Sequence, residues 1–179
     1  MAQTLTPAPG SPFSTGDRPD GEAVSPDGNF LFVANNTDNT ISVFSISADG
    51  ALSEISGSPF PSVLIAPYHL ITNRAGNRLF VGGSTIIAAF DIAPDGSLTL
   101  ANWITSTIPL YFEGLAVSPN DKYLFAVERT YNLVRVIDIE GSNFTPILPS
   151  CLFPTGGTWS CDVSINHAGT YLFVSNYQS

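Results

Sequence analysis

The stretch Ala23-Val24-Ser25-Pro26-Asp27-Gly28-Asn29-Phe30-Leu31-Phe32-Val33-Ala34-Asn35-Asn36 reads as strand, tight turn, strand. Pro26 presets φ at the first corner, and Gly28 takes the positive φ that a turn exit often demands. The run Phe30-Leu31-Phe32-Val33 has no polar interruption, as in a strand covered on both faces. The phrase returns as Asn73-Arg74-Ala75-Gly76-Asn77-Arg78-Leu79-Phe80-Val81, as Ser118-Pro119-Asn120-Asp121-Lys122-Tyr123-Leu124-Phe125-Ala126, and as Asn166-His167-Ala168-Gly169-Thr170-Tyr171-Leu172-Phe173-Val174. The aligned residues Phe32, Phe80, Phe125 and Phe173 stand 48, 45 and 48 residues apart. A period of that size, with several strands per unit, is the sign of a β-propeller.

Two further strands belong to each unit. Ile41-Ser42-Val43-Phe44-Ser45-Ile46 alternates with period two, and its partners begin at Ile86 and Val134. Ala48-Asp49-Gly50, Pro94-Asp95-Gly96 and Glu140-Gly141-Ser142 then turn the chain into a short outer strand anchored by Leu52, Leu98 and Phe144. Thr4-Leu5-Thr6-Pro7 matches that outer strand, and Gly10-Ser11-Pro12-Phe13 recurs as Gly57-Ser58-Pro59-Phe60, an exit loop. Each unit therefore has four antiparallel strands, a to d from the axis outward. The pattern predicts one all-β domain over 1–179, a partial or half propeller of about 3.75 blades. Its parts are an outer strand over 1–13, blades over about 20–57, 68–103 and 113–148, and a partial blade over 161–179. Strand b should be the most buried in each unit.

Hydrophobic residues make up 44% of the chain and charged residues 12%, which excludes disorder. The net charge of −9 argues against nucleic acid, whose binding begins with a basic footprint. No apolar run reaches the length of a membrane span. Met1-Ala2-Gln3-Thr4-Leu5 has neither the basic region nor the apolar core of a signal peptide. The two cysteines, Cys151 and Cys161, flank a short loop. They read either as a disulfide formed in an oxidising, extracytoplasmic compartment or as two semi-buried thiols. No metal-binding spacing and no cofactor motif occurs.

The phrase SPDG-x-FLFVAN followed by TISVFSI, clearest over residues 25–52, resembles the YVTN and lactonase-type (6-phosphogluconolactonase-like) β-propeller repeat family. The resemblance covers nearly the whole chain and implies a ring of seven blades from a chain about twice this length. It also implies a sugar lactone or related lactone as ligand. No Trp-Asp dipeptide of the WD40 kind is present, and only Gly82-Gly83 matches the kelch double glycine.

The a–b and c–d turns are stereotyped, whereas the d–a and b–c loops on the other face differ in every unit. Repetition reflects folding, and difference leaves room for function. Just before strand a lie Asp20, Tyr68, Glu113 and Cys161, each followed by Gly21, His69, Gly114 or Asp162. Arg18, Tyr111, Phe112 and Trp159 stand close by, and the b–c loops add Asn35, Asn36, Asp38, Ser84, Glu128 and Arg129. The family pattern Gly-Pro-Arg-His resembles Ala66-Pro67-Tyr68-His69, with Tyr68 in the arginine's place. That resemblance implies an active-site role for His69 as a general base; the alternative is an imidazole bonded to a loop carbonyl. Glu22 occupies a slot filled elsewhere by Leu70, Leu115 and Val163, so it needs a partner or a solvated channel. The candidate catalytic set is His69, Glu22 and Glu113. The candidate ligand rim is Arg18, Asp20, Tyr68, Tyr111, Arg129, Trp159 and Asp162.

The aromatics suit stacking on a sugar or an organic ring, or else packing between blades. Arg18 and Arg129 are the only cations expected on this face, too few for a phosphosugar dianion. Three functional readings follow. One is a propeller scaffold that binds a ligand or protein through the loop face. Another is a lactone hydrolase, and the third is a half ring whose function needs further blades. Uncovered blade faces and an unpaired strand edge predict association, with a second copy or with a C-terminal half.

Overall fold

The structure, a computed structural model, describes residues 6–63, 66–147 and 152–178. Every regular element among them is a strand. Strands β1 (Pro19–Val24), β2 (Phe30–Asn35), β3 (Thr40–Ile46) and β4 (Leu52–Glu54) form the first sheet in sequence order, and β5 (Phe60–Pro61) adds to β3. The second sheet is β6 (His69–Thr72), β7 (Arg78–Gly82), β8 (Ile86–Ile92) and β9 (Leu98–Thr105). The third is β10 (Phe112–Val117), β11 (Tyr123–Glu128), β12 (Leu133–Asp138) and β13 (Thr145–Pro146), with β14 (Leu152–Pro154) also on β12. A last antiparallel pair, β15 (Thr158–Ile165) and β16 (Leu172–Gln178), follows. This is the four-stranded antiparallel arrangement of a partial propeller.

One device closes all four a–b turns. The Ser25 hydroxyl accepts from Phe30 N at 2.9 Å, and the Ser118 hydroxyl accepts from Tyr123 N at 2.9 Å. The Asn73 side-chain oxygen accepts from Arg78 N, and that of Asn166 from Tyr171 N, both at 2.9 Å. Gly28, Gly76 and Gly169 hold φ of 76°, 71° and 71° at the turn exit. Asp121 takes the same position at φ 55°, where a side chain costs about 1–2 kcal/mol. Its carboxylate offsets that by accepting from Arg74 N and Ala75 N of the neighbouring blade.

The core lies between blades. Phe32, Ala34, Ile41 and Val43 of the first sheet pack with Leu70, Leu79 and Val81 of the second. Phe80, Ile87 and Ala89 pack with Leu115 and Leu124 of the third, and Ala116, Val127 and Val134 with Val163 of the last pair. Fully burying a side chain such as Phe32 or Phe80 is worth about 1.5–3 kcal/mol. The aligned phenylalanines measure how far each face is covered. Phe32 and Phe80 are 0% exposed, and Phe173 on the last strand is 59% exposed.

Some expectations need correction. Strand b is not always the most buried: β10 is covered more continuously than β11, and β16 is largely exposed. Covering depends on a neighbouring blade, and β16 has none on its outward face among the described residues. Residues 6–18 carry no strand, and the Thr4-Leu5 part of the expected first outer strand lies outside the described residues. The exit phrase at Phe60 is not only loop, because Phe60–Pro61 rejoins β3 as β5. Between β4 and β5, the Ser58 hydroxyl accepts from Val43 N at 2.9 Å and so fills the missing ladder position. Glu22 is exposed rather than packed, because the slot that Leu70, Leu115 and Val163 fill faces the preceding blade, and β1 has no such blade here.

Candidate functional site

Each inner strand has one residue in the left-handed region at or just before its start. Arg18, Ala66, Tyr111 and Trp159 have φ of 51°, 53°, 52° and 55°. Their spacing repeats that of the aligned phenylalanines. Two of their carbonyls are pinned from the b–c loops, Arg18 O by Asn36 N at 2.9 Å and Tyr111 O by Arg129 N at 3.2 Å. The backbone device repeats, and the side chains it carries do not.

Three of those side chains, Arg18, Tyr111 and Trp159, line two adjoining clefts. Arg18, Asp20, Tyr68, Tyr111, Glu113, Arg129 and Cys161 surround about 440 Å³. Tyr111 and Arg129 are shared with the second, of about 550 Å³, which adds Thr130, Asn132, Thr158 and Trp159. Six members of the candidate catalytic and rim sets, with Cys161, thus meet in the first cleft, and Trp159 joins through the second. Glu113 Oε1 accepts from Arg129 Nη1 at 2.6 Å. Arg129 also lies 5.4 Å over the Trp159 ring. The Tyr68 and Tyr111 rings are 6.3 Å apart. Burial pushes the Tyr68 phenol up, helped by Tyr111 and Glu113, while its hydrogen bond to Glu113 holds Arg129 more firmly charged. Phe112 is not part of this rim: it is 1% exposed and belongs to the core.

Three residues beyond the left-handed positions, Gly21, His69, Gly114 and Asp162 alternate. A Cβ on Gly21 would fall 2.3 Å from Tyr68 O, and one on Gly114 would fall 2.6 Å from Asp162 Cα. The two glycines let adjacent inner strands close on one another. The side chains of His69 and Asp162 then meet across the intervening blade, with His69 Nε2 4.0 Å from Asp162 Oδ1. His69 Nδ1 is buried and has no hydrogen-bond partner among the described residues. Burial holds the imidazole below its ordinary pKa, outweighing the Asp162 and Glu22 carboxylates, which act the other way. His69 is therefore neutral at pH 7, with about a third of its side chain exposed (32%). Glu22 reaches it through its charge, from the uncovered side of β1.

Glu128, expected on the loop face, is 1% exposed and paired with Arg135 beneath it. It occupies the place where Asn35 bridges Thr40 and Ser42 in the first sheet. Cys161 carries a free thiol that donates to Trp159 O at 3.0 Å. Its expected partner, Cys151, lies outside the described residues. Among the described residues no group of His, Cys, Asp and Glu has the arrangement of a metal site. The alternating glycines and the left-handed positions were missed in the sequence. The signal for the glycines was the column Gly21, His69, Gly114, Asp162, read only for its two functional groups.

Comparison with known proteins bears on this site. A 6-phosphogluconolactonase of Erwinia tasmaniensis is 24% identical over 204 aligned positions, which cover 84% of this chain and 61% of that protein. The periplasmic gluconolactonase of Pseudomonas aeruginosa superposes with a TM-score of 0.76 at 18% identity, over 90% of this chain and 52% of that one. Hydrazine synthase of Kuenenia stuttgartiensis superposes with a TM-score of 0.66 at 22% identity, over 87% of this chain and 43% of that one. At these identities the structural likeness is one of fold. The chain spans less than two thirds of the curated relative and about half of these structures. Residues 1–100, more than half of the chain, match one family directly. The chain belongs to the lactonase, 7-bladed β-propeller family.

Proposed function

We propose that the loop face hydrolyses a lactone ring. The observation that carries this reading is His69: its Nδ1 is buried, its Nε2 faces a carboxylate and burial keeps it neutral, and it follows Tyr68, which lines the cleft that holds the Arg129 guanidinium. Membership of a lactonase family supports it.

In this mechanism, His69 Nε2 takes a proton from water, and the resulting hydroxide adds to the lactone carbonyl carbon. The carbonyl electron pair moves onto oxygen, and the oxyanion is stabilised by Arg129, which Glu113 holds in place. Asp162, 4.0 Å away, stabilises the imidazolium that forms. Collapse of the tetrahedral intermediate breaks the ring C–O bond, and the leaving alkoxide recovers the proton from His69. The product is the open hydroxy acid, which ionises at neutral pH.

The test is a pH-stat assay of glucono-δ-lactone hydrolysis by the wild type and by His69→Gln. Removing a general base should lower turnover by about 10²–10⁴-fold. The melting temperature should stay close to that of the wild type, because Nδ1 makes no bond to lose. A wild type that hydrolyses no lactone would leave the loop face as a binding scaffold. A variant that keeps its rate would remove His69 from the mechanism.

A further inference from the structure

Resting on the lactonase reading, we infer that Tyr68, Tyr111 and Trp159 form the substrate-selecting wall along the two adjoining clefts, and that the substrate is a neutral lactone with a flat ring face rather than a phosphorylated one.

Two independent observations lead there. The first is the aromatic surface. Tyr111 and Trp159 are 37% and 49% exposed, although both sit on backbone in the left-handed region, which disfavours residues that carry a side chain. Neither ring packs into the blade core; the Trp159 ring lies 5.5 Å from that of Tyr177, with Arg129 over it, and still leaves about half of the residue exposed. Tyr68 adds a third ring 6.3 Å from Tyr111. Exposed ring faces around a cleft favour a ligand that offers a flat face of its own, whether the C–H face of a pyranose or a fused aryl ring.

The second observation is charge. The chain has six Lys and Arg residues. Arg18 is paired with Asp20 at 3.9 Å and Arg129 with Glu113 at 2.6 Å, so each cleft guanidinium already faces a carboxylate. Arg78, Lys122 and Arg135 are paired with Asp91, Glu140 and Glu128, away from the cleft. Arg74 contacts His167 at the a–b turns, on the opposite end of the blades. A phosphate dianion is best held by several cations that fork onto its oxygens, and among the described residues this face offers only Arg18 and Arg129, each already facing a carboxylate. Asp162 and Glu22 would repel it further.

Calorimetric titration with lactams separates binding from turnover, because the amide ring resists hydrolysis. Three probes are compared at one ionic strength: glucono-δ-lactam, its 6-phosphate, and 3,4-dihydro-2-quinolinone. At least one neutral lactam should bind about tenfold or more tighter than the phosphate, and which of the two binds identifies a sugar or an aryl ring face. Trp159→Ala and Tyr111→Ala should each weaken that binding by about two- to tenfold, with Trp159→Phe retaining most of it. Equal or tighter binding of the phosphate overturns the inference, as does failure of both neutral lactams or indifference to Trp159→Ala. If lactones are hydrolysed but lactams show no such preference, this inference alone fails. If the preference appears without hydrolysis, the catalytic reading alone fails.

Discussion

The two ends of each blade solve their backbone problems in opposite ways. At the a–b turns, the same acceptor recurs in every repeat, as Ser25, Asn73, Ser118 or Asn166, and its task is always to hold the N–H that starts strand b. At the d–a loops the backbone is repeated just as faithfully, with a left-handed residue at or just before the start of every inner strand, yet the side chains are Arg18, Ala66, Tyr111 and Trp159. Where backbone and side chain repeat together, the sequence is serving the fold. Where only the backbone repeats, the side chain has been released for other work, and the cleft gathers there.

The sharpest way to break this contrast is Gly114→Val. The new Cβ would sit 2.6 Å from Asp162 Cα, a backbone atom that cannot step aside, so the third and fourth inner strands must separate. Overpacking of this kind costs about 1–3 kcal/mol, read from the urea midpoint, and turnover should fall with it as His69 and Asp162 move apart. A variant as stable and active as the wild type would show that the glycine is not what brings them together.

At the other end, Asn73→Ala removes the acceptor for Asn77 N and Arg78 N at a site 7% exposed. Leaving those donors unmet should cost about 1–3 kcal/mol while turnover per folded molecule stays unchanged. A comparable loss of turnover in the folded variant would contradict the division between the two ends.

A smaller effect concerns pH and stability. The His69 pKa is lowered in the folded protein by burial, so the unfolded chain takes up the proton first as the pH falls. The contribution of neutral His69 is whole above the unfolded value of about 6.5 and is lost as the pH drops through the lower folded value. Urea midpoints compared between about pH 7.5 and pH 5 should therefore fall more for the wild type than for His69→Gln. Parallel curves would mean that His69 is not desolvated.

Much of this architecture was legible because its signals are local and repeated: the Ser-Pro-Asp-Gly turn, the Asp-Gly hairpins and the aligned phenylalanines each specify backbone within a few residues. The second halves of the outer strands were not legible. Gly57-Ser58-Pro59-Phe60 looks like loop because a side chain, Ser58, takes a ladder position that sequence patterns assign to backbone. The cleft residues could be placed on one face by counting from the turns, and so Tyr68, Glu113 and Arg129 were found together. The approach of His69 to Asp162 could not be read, since it depends on how closely the inner strands of neighbouring blades come together. Glu128 illustrates the same limit: the sequence places it in a b–c loop, whereas it ends β11 and pairs with Arg135 as a buried structural group.

The central claim is that His69 works as a neutral base, and the pH dependence of kcat/KM for lactone hydrolysis tests it most directly. After subtraction of the uncatalysed rate, the wild-type profile should rise with pH through one inflection below the ordinary imidazole value of about 6.5, in keeping with a desolvated histidine. His69→Gln should retain little activity and show no such inflection. The same inflection surviving in His69→Gln would assign the base to another group and contradict the account.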